Sequence, residues 1–426
     1  SEWPVANRAI ELYLQKKSEN EGWERQINGL SNNEKANLLL EKHTFKELLA
    51  DVEQRNLQNN IVGLEASRLF ARSEINMGVD AFRDSLYAML KRNTFLNIKF
   101  ENMLDTLGEM SRTDLYSYLK EWEQLTPLPF YSIGEPELTK VVNKGGEEFF
   151  VLKVLVSNNS DYDGIIQMNV LQNGWWYQPM EDPRARKKVE IAAHTSKEFV
   201  SVWEEQIRDV EINTMVSGNL PYMIRQSIGN VKQERNKIVK DTIYTLPESS
   251  LEMPGEVIVD NEDSTLFVLS TPAVVGLLPK WLDKVEDTSF KYSGISWWRA
   301  PLQWTATTNA KYYGKYIRSA YVIKSGDGSQ TATWKIPVPE AGQYELYYHV
   351  FKDDELRWND RLQGEYHFRV AYDSEMEDAY INLRKANEGW EQLGTYYFSA
   401  DTVRVVLTDE CKLRSVTADA VKIVKR

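Results

Sequence analysis

Two stretches place aromatic rings beside a guanidinium. Trp297-Trp298-Arg299, with Trp304 a few residues on, is one; Trp358-Asn359-Asp360-Arg361 is the other. A flat ring stacks on the C–H face of a sugar, and planar polar side chains bind its hydroxyls. Trp297, Trp298, Arg299, Trp304, Trp358 and Arg361 are therefore the candidate glycan contacts. Both stretches read as loops. Successive side chains on a strand point to opposite faces, so one of Trp297 and Trp298 must be exposed or covered by another domain. Trp175-Trp176 raises the same alternatives earlier in the chain. The competing use of the 13 Trp and 22 Tyr residues is a sheet core with cross-strand ring pairs.

Other residue types capable of chemistry do not assemble into a recognisable catalyst. Asp353-Asp354-Glu355 and Glu375, Glu377 and Asp378 are acid clusters in expected loops. Glycoside hydrolysis needs two carboxyls held roughly 5–10 Å apart across a cleft, which neighbouring loop acids do not provide. There is no G-x-S-x-G elbow for a serine nucleophile. The single cysteine, Cys411, fits a small apolar role, and it rules out an internal disulfide. The four histidines are His43, His194, His349 and His367; none precedes a glutamate and no pair has zinc-ligand spacing. His43 and Glu47 stand four apart, which reads as a solvated helix face. Gly326-Asp327-Gly328 reads as a hairpin turn, because no helix follows it to cradle phosphate. The expectation is a chain without a catalytic constellation.

The elements that must position these residues fall into three stretches. Residues 1–126 carry helical periodicity, with Gly78 dividing a helix pair and Pro127 and Pro129 ending the last helix. Residues 127–248 switch to short alternating strands at about ten-residue spacing, as in an Ig- or fibronectin-like sandwich. This stretch is expected to end in a helix over 224–239, with Arg225, Lys232, Arg235, Lys237 and Lys240 as its solvated face. A Pro, Ser and Gly-rich boundary opens residues 249–426. There, 332–350 reads as strand, turn, strand: Tyr344, Leu346, Tyr348 and Val350 face one way, Glu345, Tyr347 and His349 the other.

Five motifs in this last stretch come in a fixed order: V-I-V-D-N-E-D (257–263), Y-Y-G-K-Y (312–316), T-A-T-W-K-I-P-V-P-E-A-G-Q-Y-E-L-Y (331–347), G-W-E-Q-L-G-T-Y-Y-F (389–398) and T-A-D-A-V-K-I-V (417–424). Together they resemble the golvesin C-terminal-like domain, also called the xanthan-lyase carbohydrate-binding-like domain, over about 255–426. The segment 267–308 is longer than that pattern requires and carries Trp281, Trp297, Trp298 and Trp304. The resemblance implies a galactose-binding-like jelly-roll sandwich appended to an envelope or secreted protein. In such sandwiches the first and last strands lie side by side. Asp260, Asn261 and Asp263 could then meet Asp419, oxygen ligands of the type a structural calcium takes; the alternative is an Asx turn at Asp260-Asn261 with Asp419 capping a strand end. A weaker resemblance, over about 50–248, is to the helical and β segments downstream of the zinc site in gluzincin aminopeptidases. Their H-E-x-x-H helix is missing here.

The fold class expected is thus multidomain α+β: an N-terminal helical domain followed by two antiparallel β-sandwiches. At 426 residues the chain is long enough for two or three domains. A net charge of −12 argues against nucleic acid and anionic membrane surfaces as partners, and no apolar run is long enough to insert in a bilayer. The chain opens on Ser1 without a visible signal peptide, which reads as a processed or truncated fragment. The leading functional expectation is a non-catalytic binding or scaffolding region in the cell envelope, periplasm or extracellular space. Its partners would be a cell-surface glycan and the other domains of a larger parent protein. The alternatives are the rear part of a zinc aminopeptidase-like protein and a structural spacer.

Overall fold

The structure, a computed structural model, describes residues 4–15, 21–94, 96, 98–171, 182–235, 239–249, 251, 255–270, 290–295, 300–352, 364–373 and 375–426. The three stretches expected from sequence fold as two compact units. One comprises 1–20 and 32–251, the other 21–31 and 252–426.

The helices among the described residues are α1 (Pro4–Leu14), α2 (Glu21–Asn28), α3 (Asn32–Leu40), α4 (Phe45–Ala50), α5 (Gln58–Met77), α6 (Val79–Arg92), α7 (Phe100–Ser111) and α8 (Leu115–Leu119). All but α2 belong to the first unit. Ile61, Leu64, Leu69 and other residues at helical spacing on α5 are buried, so this longest helix carries the centre of the helical layer. Gly78 separates α5 from α6 at φ 87°, a conformation that costs glycine nothing. Glu47 does not pair off with His43 on a bare helix face. Its Oε2 accepts from the Thr44 amide at 2.9 Å while Thr44 Oγ1 accepts from the Glu47 amide at 3.2 Å, a capping box that starts α4.

The sandwich of the first unit is built from β1 (Tyr131–Ile133), β2 (Glu137–Val142), β3 (Glu148–Asn158), β4 (Gly164–Leu171), β5 (Arg186–Ile191), β6 (Thr195–Trp203), β7 (Asp209–Asn213), β8 (Met223–Ser227), β9 (Val231–Arg235) and β10 (Thr242–Pro247). One sheet runs β10-β6-β3-β2-β9, with β1 also on β3; the other runs β5-β4-β7-β8. Leu152, Val154, Ile166, Val170, Phe199, Trp203 and Ile212 fill the space between them.

The helix expected over 224–239 is overturned: this stretch holds β8 and β9. Ile224 lies opposite Ile212 in the β7–β8 register and is 2% exposed, while Arg225 lies opposite Glu211 and bonds it at 3.1 Å. Lys232 and Arg235 stand on β9, which pairs parallel to β2 at the sheet edge and is mostly exposed. Lys232 and Arg235 are solvated, but on an edge strand, where lysine and arginine also discourage further pairing, and Lys237 lies outside the described residues. Tertiary pairing overrode the local helical pattern.

The second unit contains β11 (Glu256–Val259), β12 (Phe267–Leu269), β13 (Thr305–Thr308), β14 (Ser319–Lys324), β15 (Thr331–Pro337), β16 (Gly342–Val350), β17 (Glu365–Tyr372), β18 (Glu375–Asn382), β19 (Gly389–Phe398), β20 (Thr402–Thr408), β21 (Ser415–Ala418) and β22 (Val421–Lys425). Its main sheets run β11-β22-β16-β19 and β12-β15-β20-β17-β18; β13-β14-β21 forms a smaller third sheet. β15 and β16 are both strands, as the alternation predicts, but they are not a hairpin. They lie in different sheets, and the intervening prolines carry the chain across. Each strand then presents its apolar face to one core: Trp334 and Ile336 from β15, and Tyr344, Leu346, Tyr348 and Val350 from β16. The turn at Gly326 to Gly328 is likewise no hairpin, since β14 and β15 do not pair. The first and last strands do lie side by side, with Val257 opposite Ile423. The short α2 segment packs on this unit through two glycines. A Cβ on Gly294 would stand 2.0 Å from the Ile27 carbonyl oxygen, and one on Gly29 would stand 2.3 Å from the Ser293 carbonyl carbon.

Candidate functional site

β16 carries the geometry of the site. Its buried residues alternate with Glu345, Tyr347 and His349, which are half-buried on the other face of the sheet. Its pairing with β19 shifts by one residue between Leu346 and Tyr347. Beyond that bulge, Trp390 lies opposite His349. In unbroken register it would lie opposite Val350, on the core side. A slip of one residue moves a side chain to the other face of a sheet, so the bulge is what brings Trp390 out beside His349. From the other neighbour, β22, Lys422 lies opposite Tyr347.

The result is a continuous aromatic face. The Trp390 ring lies 5.1 Å from His349 and 5.0 Å from Tyr313, and Tyr313 lies 5.8 Å from His349. The Lys422 ammonium sits 4.9 Å from the Trp390 ring centre and 5.3 Å from that of Tyr347, and donates to Glu256 on β11 at 2.8 Å. Cation–π placement of this kind holds both rings and ammonium in place. Rings, an ammonium, a carboxylate and an imidazole lie together here, with the His349, Lys422 and Glu256 side chains 12–14% exposed; such groups can recognise a polyhydroxylated ring.

Behind this face lies a buried carboxylate. Asp419, in the β21–β22 turn, is 0% exposed. It accepts from the Tyr313 amide at 3.2 and 3.1 Å, and its Oδ2 lies 2.8 Å from His349 Nδ1. Burial pushes its pKa up; the charge of His349, the hydrogen bond with it and the Tyr313 amide pull the other way. Asp260, at the end of β11, is raised well above the ordinary carboxylate range, chiefly by burial and then by the charge of Asp419. Among the described residues no nucleophilic hydroxyl or thiol is hydrogen-bonded to the His349 ring. The Asp419–His349 pair fixes the imidazole within the aromatic face.

Of the expected calcium set, Asp260 and Asp419 come within electrostatic reach, and Asp263 turns away into its own turn. Its Oδ1 accepts from the Thr265 amide, the Thr265 hydroxyl and the Leu266 amide. Among the described residues no three His, Cys, Asp or Glu side chains converge to hold a metal ion. Calcium takes six to eight oxygens; with both Asp419 oxygens already accepting and Asp263 held in its turn, these three carboxylates as arranged do not make that cage.

Of the expected glycan contacts, Trp297, Trp298, Arg299, Trp358 and Arg361 lie outside the described residues, as do Trp175-Trp176, Trp281 and the Asp353 to Glu355 acids. Trp304 is described. It is half-buried against the core of the second unit, and its buried indole N–H meets no acceptor. Glu375, Glu377 and Asp378 stand on β18 rather than in a loop, and all three are exposed. The Cys411 thiol packs half-buried against the same core, and burial pushes its pKa up. The residues not singled out as contacts are Tyr313, Tyr347, His349, Trp390 and Lys422. The signals that were present are the outward phase of Tyr347 and His349 on β16 and the place of the other residues in the ordered motifs.

The second unit is thus a two-sheet β-sandwich with an aromatic outer face. Residues 298–425 match the family model of the Golvesin C-terminal domain. Among curated proteins none matches the chain. Among solved structures, xanthan lyase from Paenibacillus is similar at 17% identity and a TM-score of 0.29, over 71% of this chain and 27% of that one. CBM35 from Cellvibrio japonicus Abf62 is similar at 12% identity and a TM-score of 0.19, over 26% of this chain and 75% of that one. The GH26-CBM35 β-(1,4)-mannanase of Podospora anserina is similar at 12% identity and a TM-score of 0.22, over 41% of this chain and 28% of that one. This chain spans about a quarter of the length of the xanthan lyase it matches. The aminopeptidase resemblance of 50–248 draws no support from these structures. Among the described residues no helix is long and apolar enough to cross a membrane.

Proposed function

We infer that the second unit is a non-catalytic glycan-binding module of an envelope, periplasmic or secreted protein, and that it contacts sugar through the face formed by Tyr313, Tyr347, His349, Trp390 and Lys422. The observation that carries this reading is the bulge in β16–β19, which spends a register shift on bringing a tryptophan out of the core phase and against an imidazole. The match of 298–425 to the Golvesin C-terminal domain supports a binding module over a catalyst. The acids of β18 are exposed along a single strand, and Asp378 shares the His367 imidazole with Glu410, at 2.8 and 3.2 Å.

A glycan array with the intact chain, Trp390→Ala and Trp298→Ala tests the assignment. Binding to one glycan class that Trp390→Ala abolishes supports it. Loss with Trp298→Ala alone moves the site to the loop stretch around 297–299. An array on which the intact chain binds nothing favours the spacer.

A further inference from the structure

The first unit holds a cleft of about 430 Å³, within the range of roughly 300–1,000 Å³ typical of small-molecule sites. Its walls carry three cations, Arg83 of α6 and Arg186 and Lys188 of β5, against one carboxylate, Glu74 of α5. Lys188 and Glu74 satisfy one another, and the Tyr13 hydroxyl donates to Glu74 as well. Arg83, whose guanidinium lies 5.6 Å over the Tyr13 ring, and Arg186 pair with no described carboxylate. Arg186 is exposed and makes no ion pair with any described residue, and the buried Nε–H of Arg83 meets no acceptor. The excess of positive charge stands out in a chain whose net charge is −12.

Six amide side chains join the cations: Gln15, Asn33, Asn59, Asn60, Gln167 and Asn213. Gln167 lies opposite both Lys188 and Asn213 in the strand register, so these three form a row across β5, β4 and β7. The Nδ2 of Asn59 and the Oδ1 of Asn60 hold no hydrogen bond with any described residue; the opposite ends of both amides are used within the protein. Amides offer donor and acceptor at one planar group, which suits vicinal hydroxyls. Paired guanidinium donors suit a carboxylate. We propose that this cleft binds a carboxylated sugar, a uronic acid residue or the end of a chain that bears one, with Arg83 and Arg186 on the carboxylate and the amide row on the hydroxyls. This site is independent of the aromatic face of the second unit.

Titration calorimetry of the full chain with D-glucuronate, D-glucose and acetate tests the proposal. Glucuronate should bind, with glucose and acetate each weaker by about tenfold or more, since each lacks half of the recognised groups. Arg186→Gln should weaken glucuronate by about tenfold with the melting temperature unchanged, because Arg186 is exposed and unpaired. Arg83→Gln should weaken glucuronate by a similar factor, and Trp390→Ala should have no effect. Glucose or acetate binding as tightly as glucuronate, silence at about 50 mM glucuronate, or loss through Trp390→Ala with both arginine variants unchanged would each overturn it.

Discussion

Lys188→Met should be among the most damaging single changes in the first unit. Glu74 and Lys188 come from α5 and β5, 114 residues apart, and their side chains are 1% and 10% exposed. The Tyr13 hydroxyl of α1 donates to Glu74 Oε1 at 2.5 Å. Burial, followed by the Glu74 charge, pushes the Tyr13 pKa far up, so it remains a donor throughout the working range. One carboxylate thus ties two helices to the sandwich. Replacing Lys188 with methionine keeps the volume and leaves the carboxylate buried with a single neutral donor. Breaking a buried pair from one side costs about 3–5 kcal/mol. With water nearly excluded from Glu74, the upper half of that range applies. At about 2–4 °C per kcal/mol for a unit of this size, the helical signal at 222 nm should melt roughly 8–20 °C lower. The double change Glu74→Gln, Lys188→Met removes the stranded charge and should recover more than half of the loss. If Lys188→Met melts within about 2 °C of the parent, or if the double variant is worse than the single one, the pair is not the tie described.

Other consequences follow from the same arrangement. Asp260→Asn should raise stability at pH 7.5. The folded-state pKa of Asp260 lies above its unfolded value, so ionisation costs stability as pH rises through the folded value and costs nothing below about pH 3.8. The gain should therefore shrink as pH falls toward 4 in a series of thermal melts, and a gain independent of pH would refute the cause given. Calcium at about 10 mM, above the ~0.1–1 mM affinity of extracellular calcium modules, should move the melt by less than about 1 °C; a rise of several degrees that Asp260→Asn or Asp419→Asn removes would restore the calcium set. Ile224→Ala should cost about 2–4 kcal/mol in urea unfolding, as for a fully packed sandwich residue, whereas on a solvated helix it would cost under about 1 kcal/mol. Gly294→Ala forces a Cβ against the Ile27 backbone and should release 21–31 to limited proteolysis; unchanged protection would show that the segment is held some other way.

Strand identity was legible wherever a strand has one wet face. The burial of Tyr344, Leu346, Tyr348 and Val350 follows from their spacing, because a period of two admits a single inward set. The same logic failed over 224–239. There a strand with one buried isoleucine and an edge strand with exposed charges mimic the composition of a polar helix. Candidate sugar contacts picked as Trp-Trp-Arg words fell mostly on stretches outside the described residues. Tyr313, Tyr347, Trp390 and Lys422 each stand in a different one of the five ordered motifs, and nothing local shows that these motifs meet on one face.

Composition, charge and alternation, all properties of neighbouring residues, determined by themselves that helices come first, that two blocks of strands follow, and that β16 turns Tyr347 and His349 away from the core. Only the tertiary structure decided that β15 and β16 sit in different sheets, that a bulge brings Trp390 beside His349, and that Glu74 meets Lys188 across 114 residues. Those outcomes depend on register and on which sheet a strand joins. Both are settled by the free energy of burying distant surfaces together, a quantity that no local window of the chain contains.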